Sequence, residues 1–386
     1  MTQEHLNLVR IDLGAIKSNL EAIKEAIGPE RQILAMVKGN AYGHGDLQVA
    51  QMIEDTGCAQ VLGVACPSEA QGLRAGGIKM PILILTPTIP ANLETAIKAD
   101  VILSVCGQRE ALAAGQVAAK LGKCVSVHIK VDTGMGRVGV PPEGAVELAN
   151  LIEQQPSLKL EGIMTHLPSS DSIAGDEISW TKKQIARFAQ VVADVNNAIG
   201  RKIIAHCANS AAVLAHPDAW FDMVRPGVMI YGYKPDPACP STIALKPAMS
   251  MFSKVIFIKK IPGGQSVSYG RTWKADFPTT VATIGVGYAD GYNRLFSNKG
   301  RVLIKGRSYP VIGRVCMNMI MADVGADPDI SIGDDVVLMG RDGDQEITCE
   351  EWAAKLGSIP YEVTCRIDAR IPRQFLEIGR ASCRER

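Results

Sequence analysis

The sequence predicts a two-domain α/β protein, a (β/α)8 TIM barrel followed by a smaller, mostly β domain. Three observations lead to this prediction. At 386 residues, the chain is long for a single hydrophobic core. Up to about residue 231, short β-branched runs alternate with longer amphipathic stretches, as parallel strands and crossover helices do. Beyond residue 241, short apolar runs separated by Gly, Pro and Asp are typical of an antiparallel domain.

Eight apolar runs mark the predicted barrel strands. They are Ile33–Lys38, Val61–Cys66, Pro81–Thr86, Val101–Val105, Cys124–Val131, Leu160–His166, Lys202–Cys207 and Met223–Tyr231. Amphipathic patterns between them predict helices at Leu47–Glu54, Glu69–Ala75, Glu110–Leu121, Ala145–Glu153 and Trp180–Ile199. Eight strands favour a closed barrel over a doubly wound open sheet, which often carries a Gly-x-Gly-x-x-Gly turn after its first strand.

A proline-rich segment marks the domain boundary, because three prolines fall within six positions at 235–240. We predict a barrel over residues 1–238, a β domain over 239–378, and a disordered tail or cloning remnant over 379–386. The predicted strands of the second domain are Met251–Ile258, Thr279–Val286, Arg301–Ile304, Val315–Asp323, Asp335–Met339 and Ile367–Ile371.

Composition restricts the class of protein. The 41 Lys and Arg residues nearly balance the 40 Asp and Glu residues, which argues against a nucleic-acid partner. The N-terminus lacks the pattern of a signal peptide, and no apolar run approaches about 18 residues, so we expect a cytoplasmic protein without a membrane anchor. Ten cysteines occur without a C-x-x-C pair, and neither zinc nor a disulfide scaffold is indicated.

Polar residues end several of the barrel runs, where the active site of such a barrel forms. Taken singly, each has an ordinary structural explanation, such as a snorkelling lysine or a core histidine. Together they point to chemistry. A lysine can form a Schiff base with an aldehyde, and a glycine beside a serine suits a phosphate, so the set implies pyridoxal phosphate. The set comprises Lys38, Tyr42, Lys130, Asp132, Arg137, His166, His206, Asn209, Ser210, Arg225 and Gly227.

In these motifs the sequence resembles the alanine racemase family, whose members are fold-type III pyridoxal-phosphate enzymes. The resemblance covers nearly the whole chain, and its most specific motif is Val37-Lys-Gly-Asn-Ala-Tyr-Gly-His-Gly45. The other motifs are Asp132–Arg137, Thr165-His166, Ala208–Ser210, Arg225–Gly227, Val267–Gly270, Gly287–Gly291 and Cys316-Met317.

The resemblance implies interconversion of L- and D-alanine, with D-alanine supplied to cell-wall peptidoglycan. It implies that Lys38 carries the cofactor as a Schiff base, that Arg225 faces the pyridine nitrogen, and that His166 links Arg225 to a catalytic tyrosine. The remaining cofactor contacts are assigned to Tyr42, Asn209, Ser210, Gly227, Val228 and Tyr361. Substrate contacts are assigned to Arg137, the backbone around Met317, and Tyr288 at the entrance, and Lys130 matches a lysine that is carbamylated in the family.

Racemisation needs a base on each face of the α-carbon, and Lys38 can serve only one of them. By resemblance Tyr269 serves the other, although a tyrosine titrates at about pH 10 and needs nearby positive charge to act. Arg225 cannot give a proton to the pyridine, which favours racemisation over decarboxylation or transamination. The resemblance also implies a head-to-tail homodimer in which the partner contributes the tyrosine.

Two positions depart from the family pattern, and the first of them bears on substrate selectivity. Asn318 replaces the aspartate of Cys-Met-Asp, and Pro168 replaces a small residue. A serine or broad-specificity racemase is the nearest alternative. A non-catalytic pyridoxal-phosphate carrier would lack the second domain, and a lyase or decarboxylase would be distinguished by release of carbon dioxide.

Overall fold

The computed structural model describes residues 5–326 and 328–376, which form two compact units. One unit comprises Ile16–Lys246, and the other combines residues 5–15 with the described residues from Pro247 onward. The division after Lys246 differs from the predicted boundary at 238. The predicted tail at 379–386 lies outside the described residues. Every helix in the described part is too short or too polar to cross a membrane.

Strand β1, Leu8–Asp12, explains the difference in boundary. It pairs antiparallel with β10, Met249–Ile261, so that Val9 lies opposite Met251. It also pairs in parallel with the last strand, where Val9 lies opposite Arg373. The N-terminal residues therefore belong to the sheet of the second unit. This pairing bridges more than half the chain, and local periodicity carries no information about it.

Eight parallel strands form the sheet of the first unit, in the order β8-β7-β6-β5-β4-β3-β2-β9. The two end strands are connected by hydrogen bonds from Asp222 N to Ala205 O at 3.1 Å and from Arg225 N to Ala208 O at 2.8 Å, so the barrel is nearly closed. This confirms the predicted fold. The strands are β2 (Gln32–Met36), β3 (Val61–Val64), β4 (Ile82–Pro87), β5 (Ile102–Val105), β6 (Val125–Lys130), β7 (Leu158–Met164), β8 (Ile204–His206) and β9 (Met223–Val224).

The eighth barrel strand is much shorter than predicted. It ends at Val224, and Val228–Tyr231 form a 3-10 turn instead. Pro226 lacks the N–H that a strand would need, and Gly227 adopts φ −116° and ψ −98°, outside the strand region. Arg225 therefore follows the strand at the carboxyl end of the barrel and does not lie within it.

The barrel helices have the apolar stripe that burial against a sheet requires. In the longest, Gly175–Ile199, the residues Ile185, Phe188, Val191 and Val195 recur at helical spacing and are buried. The predicted helix Ala145–Glu153 is confirmed residue for residue. The helices are α1 (Leu13–Ile27), α2 (Asp46–Thr56), α3 (Pro67–Ala75), α4 (Pro90–Lys98), α5 (Gln108–Lys120), α6 (Ala145–Glu153), α7 (Gly175–Ile199) and α8 (Ser210–Ala215).

The second unit is mostly β, as predicted, and its larger sheet has the order β18-β17-β14-β15-β16-β13-β10-β1-β19. The predicted strand Ile367–Ile371 is wrong: a turn closed by Ile371 N and Asp368 O occupies it. Beyond β10, the elements are β11 (Ser266–Val267), β12 (Trp273–Lys274), β13 (Thr279–Ile284), β14 (Arg301–Ile304), β15 (Arg307–Ile312), β16 (Ile320–Gly325), β17 (Asp335–Asp342), β18 (Gln345–Ile347), α9 (Cys349–Leu356), α10 (Pro360–Cys365) and β19 (Arg373–Leu376).

Candidate active site

Lys38 lies at the carboxyl end of β2, two residues beyond Met36. The preceding run Ile33–Val37 is buried, as the sequence suggests, whereas Lys38 itself is exposed in this chain. The next four residues, Gly39–Tyr42, form a left-handed turn with φ between 52° and 63°. Such a turn costs on the order of 1–2 kcal/mol per L-residue, and strain of this kind is concentrated at functional sites. It directs the Tyr42 side chain into the interior, where 7% of that residue is exposed.

Tyr42, Ser210 and Gly227 meet at one place in the barrel. The Gly227 N–H donates to Ser210 Oγ at 2.8 Å. A Cβ on residue 227 would lie 2.5 Å from Tyr42 Oη, so only glycine fits beside this hydroxyl. Val228 continues from Gly227 into the 3-10 turn. Two hydroxyls and a glycine backbone in contact match the donor set predicted to hold a phosphate.

Asn209 lies at the start of helix α8, directly before Ser210. Its side chain caps helix α8, because Oδ1 accepts from Ala212 N at 3.0 Å and from Ser170 Oγ at 2.8 Å. Its Nδ2 donates to Leu167 O at 3.0 Å. The amide is therefore occupied by protein partners, and it acts by fixing the start of the helix that carries Ser210.

Arg225 is buried, and the backbone and two histidines hold its guanidinium. Nη1 donates to His206 O at 2.8 Å and to His206 Nδ1 at 3.0 Å. Nη2 donates to Thr165 O at 2.7 Å and Cys207 O at 3.1 Å, and lies 3.4 Å from His166 Nδ1. Burial lowers the pKa of Arg225 to about 10, so it remains a cation at neutral pH. Among the described ion pairs, none joins Arg225 to a carboxylate.

His166 and Lys130 lie in the same cationic environment. Burial, followed by the charges of Arg225 and Lys130, lowers the pKa of His166 well below its ordinary value. Lys130, with 6% exposure, donates from Nζ to Leu85 O at 3.2 Å. Burial, followed by the charges of Arg225, Arg137 and Lys38, lowers the pKa of Lys130 to about 8. The imidazole is therefore neutral, and the lysine is partly neutral near physiological pH.

The loop after β6 carries Arg137. Asp132 Oδ1 organises this loop by accepting from the backbone N–H groups of Gly134, Met135 and Gly136 at 2.8–3.1 Å. Arg137 is exposed in the barrel unit. Its charge and that of Lys38 contribute to the pKa shifts of Lys130 and His166. The carboxyl end of the barrel thus collects positive charge suited to an anionic ligand.

The chemistry of this end of the barrel fits pyridoxal phosphate. Its donors suit a phosphate, Lys38 supplies a primary amine, and Arg225 is a fixed cation with no carboxylate partner among the described residues. Within the described residues, Arg225 Nε makes no protein hydrogen bond, although both Nη atoms do. One N–H of the guanidinium is therefore available to a ring nitrogen. No group of three metal-ligating side chains was found in the described parts of the chain.

In the second unit, the segment 314–319 contains Met317, and the residues next to Tyr269 and Tyr288 contact this segment. Ser268, with φ 68°, donates from Oγ to Arg314 O at 2.7 Å. Tyr288 N donates to Cys316 O and Ala289 N donates to Met317 O, both at 3.0 Å. The Tyr269 residue is 72% exposed, beside a cavity of about 380 Å³. Three predicted residues are thus brought together, and Tyr361 lies at the start of α10.

Gly287 permits this arrangement. A Cβ there would lie 2.3 Å from both Cys316 O and Met317 O. The backbone of the Tyr288 turn can approach segment 314–319 only because residue 287 has no side chain. The motif Gly287–Gly291 therefore has a packing reason, which its sequence alone did not reveal.

Two histidines lie in the barrel interior next to Arg225: the sequence placed His206 among the strand-end residues without a specific role, and it did not single out His128. His206 contacts Arg225, as described above, and His128 contacts His206 at 2.8 Å. The only available signal was alternation: His128 lies two residues before Lys130 on β6 and so faces the same side of the strand. A histidine in the middle of an apolar strand is otherwise indistinguishable from a core residue.

Comparison with known proteins agrees with this geometry. Residues 11–235 match the model for the alanine racemase N-terminal domain, and residues 248–375 match that for the alanine racemase C-terminal domain. The alanine racemase of Halothermothrix orenii is 40% identical over 365 residues, 95% of each protein. That of Cutibacterium acnes is 40% identical over 366 residues, 95% of this chain and 96% of the relative.

Solved structures give the same result. The alanine racemase of Clostridium difficile 630 superposes with a TM-score of 0.90 at 34% identity, covering 97% of each chain. The Bacillus anthracis alanine racemase with bound L-Ala-P has a TM-score of 0.89 at 33% identity, covering 98% of this chain and 97% of that one. With both domains matched and the fold shared along nearly its whole length, the chain belongs to the alanine racemase family.

Proposed function

We propose that this protein interconverts L- and D-alanine by two-base proton transfer, with pyridoxal phosphate as cofactor. The observation that carries the proposal is the buried Arg225, a cation held by carbonyl oxygens and imidazoles without an acidic partner. An arginine opposite the pyridine nitrogen donates a hydrogen bond but no proton. That arrangement restrains the stronger electron withdrawal that decarboxylation and transamination use.

The barrel residues would hold the cofactor at its aldehyde carbon, at its phosphate and at its ring nitrogen. Lys38 would attach it covalently through Nζ. Tyr42, Ser210, Gly227 and the Val228 backbone would bind the phosphate, with Tyr361 as a further phosphate ligand by family resemblance. Arg225 would donate from Nε to the ring nitrogen, and Asn209 would support Ser210 through its helix cap. Once bound, pyridoxal phosphate supplies an electron sink that acidifies the hydrogen on the substrate α-carbon.

Two residues would then move protons on opposite faces of the α-carbon. Lys38 Nζ serves one face, and Tyr269 Oη of the partner subunit serves the other in the proposed head-to-tail dimer. His166 helps the tyrosine, because its Nδ1 lies toward Arg225 and its Nε2–H is left to donate to the phenolate oxygen.

The substrate carboxylate would be bound by Arg137 and the backbone around Met317, with Tyr288 lining the entrance. We further propose that Lys130 is carbamylated and orients Arg137. Carbamylation requires the neutral amine, whose nitrogen forms a bond to the carbon of CO2 while one N–H proton is released. The pKa of Lys130, lowered to about 8, makes this amine available near physiological pH.

Carbamylation of Lys130 should therefore increase as the pH rises through about 8. Carbon-13 NMR of protein equilibrated with 13C-bicarbonate would detect the carbamate carbon, and Lys130→Ala assigns it. The exposed lysine variant Lys159→Ala is the control and should leave the resonance in place. A carbamate signal that persists in Lys130→Ala, or that never forms at any pH, would contradict the assignment.

Asn318→Asp should change kcat for alanine by no more than about twofold, because exposed substitutions outside direct contacts have small effects. Residue 318 is exposed, and the proposed contact at Met317 uses the backbone. Initial rates at several alanine concentrations measure this. A large change in kcat would instead place the residue 318 side chain in contact with the reacting groups.

The proposed activity is tested by following the optical rotation of L-alanine with added pyridoxal phosphate. Racemisation is expected, and its absence would overturn the proposal. Rates with serine and other amino acids distinguish an alanine enzyme from a serine or broad-specificity racemase, and carbon dioxide release would identify a decarboxylase. A supply of D-alanine for peptidoglycan and a cytoplasmic location stay predictions.

A further inference from the structure

A pair of buried histidines continues the contacts of Arg225 into the barrel. His128 lies on β6, and His206 is the last residue of β8. Their rings meet across the intervening strand β7, with His128 Nδ1 at 2.8 Å from His206 Nε2. Both residues are at least 98% buried. Neither residue has a catalytic or cofactor-binding role in the function proposed above.

The hydrogen bonds admit one arrangement of protons. Arg225 Nη1 is always a donor, so His206 Nδ1 must accept at 3.0 Å and cannot carry a proton. In the neutral ring the proton is then on Nε2, which donates to His128 Nδ1. His128 in turn carries its proton on Nε2. Both rings are neutral, since burial is the main cause that lowers the pKa of His128 to about 4 and that of His206 well below its ordinary value.

Gly162 makes room for the pair. On β7, Gly162 lies opposite His128 on β6 and opposite Ile204 on β8. A Cβ at residue 162 would lie 2.6 Å from His128 Nδ1 and Cε1. The register between β6 and β7 also shifts next to His128, so that Glu161 is bulged out of the pairing. A bulge and a glycine at the same place aim the imidazole toward His206.

The far side of His128 reaches a cavity at the opposite mouth of the barrel. This cavity of about 440 Å³ is lined by His128 and by the first residues of several strands, among them Gln32, Val61 and Val125. His128 Nε2 has no protein hydrogen-bond partner in the described residues.

We propose that His128 is a positioning residue: it accepts a hydrogen bond from His206, fixes the His206 tautomer that accepts from Arg225, and so holds the guanidinium in its place in the site. Without an acceptor at residue 128, the buried Nε2–H of His206 would be orphaned. The opposite tautomer would point an N–H at Arg225 Nη1, so that two donors face each other. The guanidinium would then move away from its present position.

A pair of isosteric variants separates this role from simple packing. His128→Asn retains an acceptor, because the amide oxygen replaces Nδ1. The leucine side chain in His128→Leu branches at Cγ as asparagine does, but it has no acceptor. We expect kcat for alanine to be about tenfold lower in His128→Leu than in His128→Asn, with KM little changed. A purely structural role predicts the reverse order, since leucine suits an apolar core better than asparagine. Equal kcat values, or a higher value for leucine, would overturn the proposal.

A second readout does not depend on the reaction. Nitrogen-15 NMR of histidine-labelled holoenzyme should show His206 protonated on Nε2 in the wild type and in His128→Asn, and protonated on Nδ1 or mixed in His128→Leu. Loss of the resonance in His206→Gln assigns it. His206 protonated on Nδ1 in the wild type would contradict the inference. The kinetic arm rests on the proposed function, but this NMR arm remains decisive even for a wild-type protein that does not racemise alanine.

Gly162→Ala provides an independent route to the same effect. The added methyl group would overlap the His128 ring, so the variant should show the NMR change and the loss of kcat expected for His128→Leu. Gly72→Ala is the matched control, because a Cβ at this exposed helical glycine meets nothing within 4 Å. A normal His206 tautomer and a normal kcat in Gly162→Ala would contradict the proposed displacement of His128.

Discussion

Replacing Lys38 with alanine should abolish both racemisation of alanine and covalent attachment of pyridoxal phosphate. Lys38 would supply the only amine bonded to the cofactor and also one of the two bases. Removal of a general base alone typically costs about 10²–10⁴ in rate. The further loss of the covalent link should bring the activity to background.

Two measurements check this expectation. One is the racemisation rate, and the other is the mass of the lysine-containing peptide after borohydride reduction of the holoenzyme. Lys98→Ala is a suitable control, since Lys98 is an exposed residue of α4 paired with Glu94. It should retain the label on Lys38 and full activity. A reducible cofactor link that survives in Lys38→Ala would move the attachment to another lysine.

The conformation of the chain after Lys38 bears on this prediction. The left-handed turn Gly39–Tyr42 includes three residues other than glycine. Backbone hydrogen bonds hold it, among them Ala41 N to Val37 O at 2.8 Å and Gly43 N to Gly39 O at 3.0 Å. Lys38→Ala leaves all of these bonds in place, so loss of activity can be attributed to the amine and not to a change of the turn.

Local sequence patterns were sufficient to predict the barrel, but they did not predict where its eighth strand ends. Apolar runs such as the predicted Val61–Cys66 report burial on both faces of a parallel strand, and the structure has a fully buried strand there, at Val61–Val64. The run Met223–Tyr231 is equally apolar, yet Pro226 and Gly227 stop the strand after Val224. An apolar run therefore reports burial, while the backbone chemistry of individual residues decides where the strand ends.

Long-range pairing was the part that the sequence could not predict. Strand β1 joins the second unit through residues that lie more than 200 positions away along the chain. The same limit applies to the site. Polar residues at the ends of predicted strands, such as His166, could be found from position alone, because strand ends meet at one edge of a barrel. His128 lies inside a strand, and its contact with His206 depends on Gly162, which belongs to a third strand.

Tyr269→Phe should lower racemisation by about 10²–10⁴, because it removes one of two proton-transfer groups and leaves the ring. The Tyr269 residue is 72% exposed in its unit, so loss of the hydroxyl should cost little stability. The defect should be asymmetric. Lys38 remains on its own face, so the α-hydrogen of one enantiomer still exchanges with solvent deuterium, while exchange of the other is lost. NMR of L- and D-alanine incubated separately in D2O measures this, with Tyr309→Phe as the control.

Mixing Tyr269→Phe with Lys38→Ala then tests whether a site takes its two bases from two subunits. If it does, each mixed dimer pairs the intact lysine of one chain with the intact tyrosine of the other and so contains one complete site. After random exchange of subunits, roughly a quarter of the wild-type activity should return, since half of the dimers are mixed and each has one intact site of two. If both bases came from the same chain, no combination of these two variants would restore a complete site, and the mixture would stay as inactive as its components.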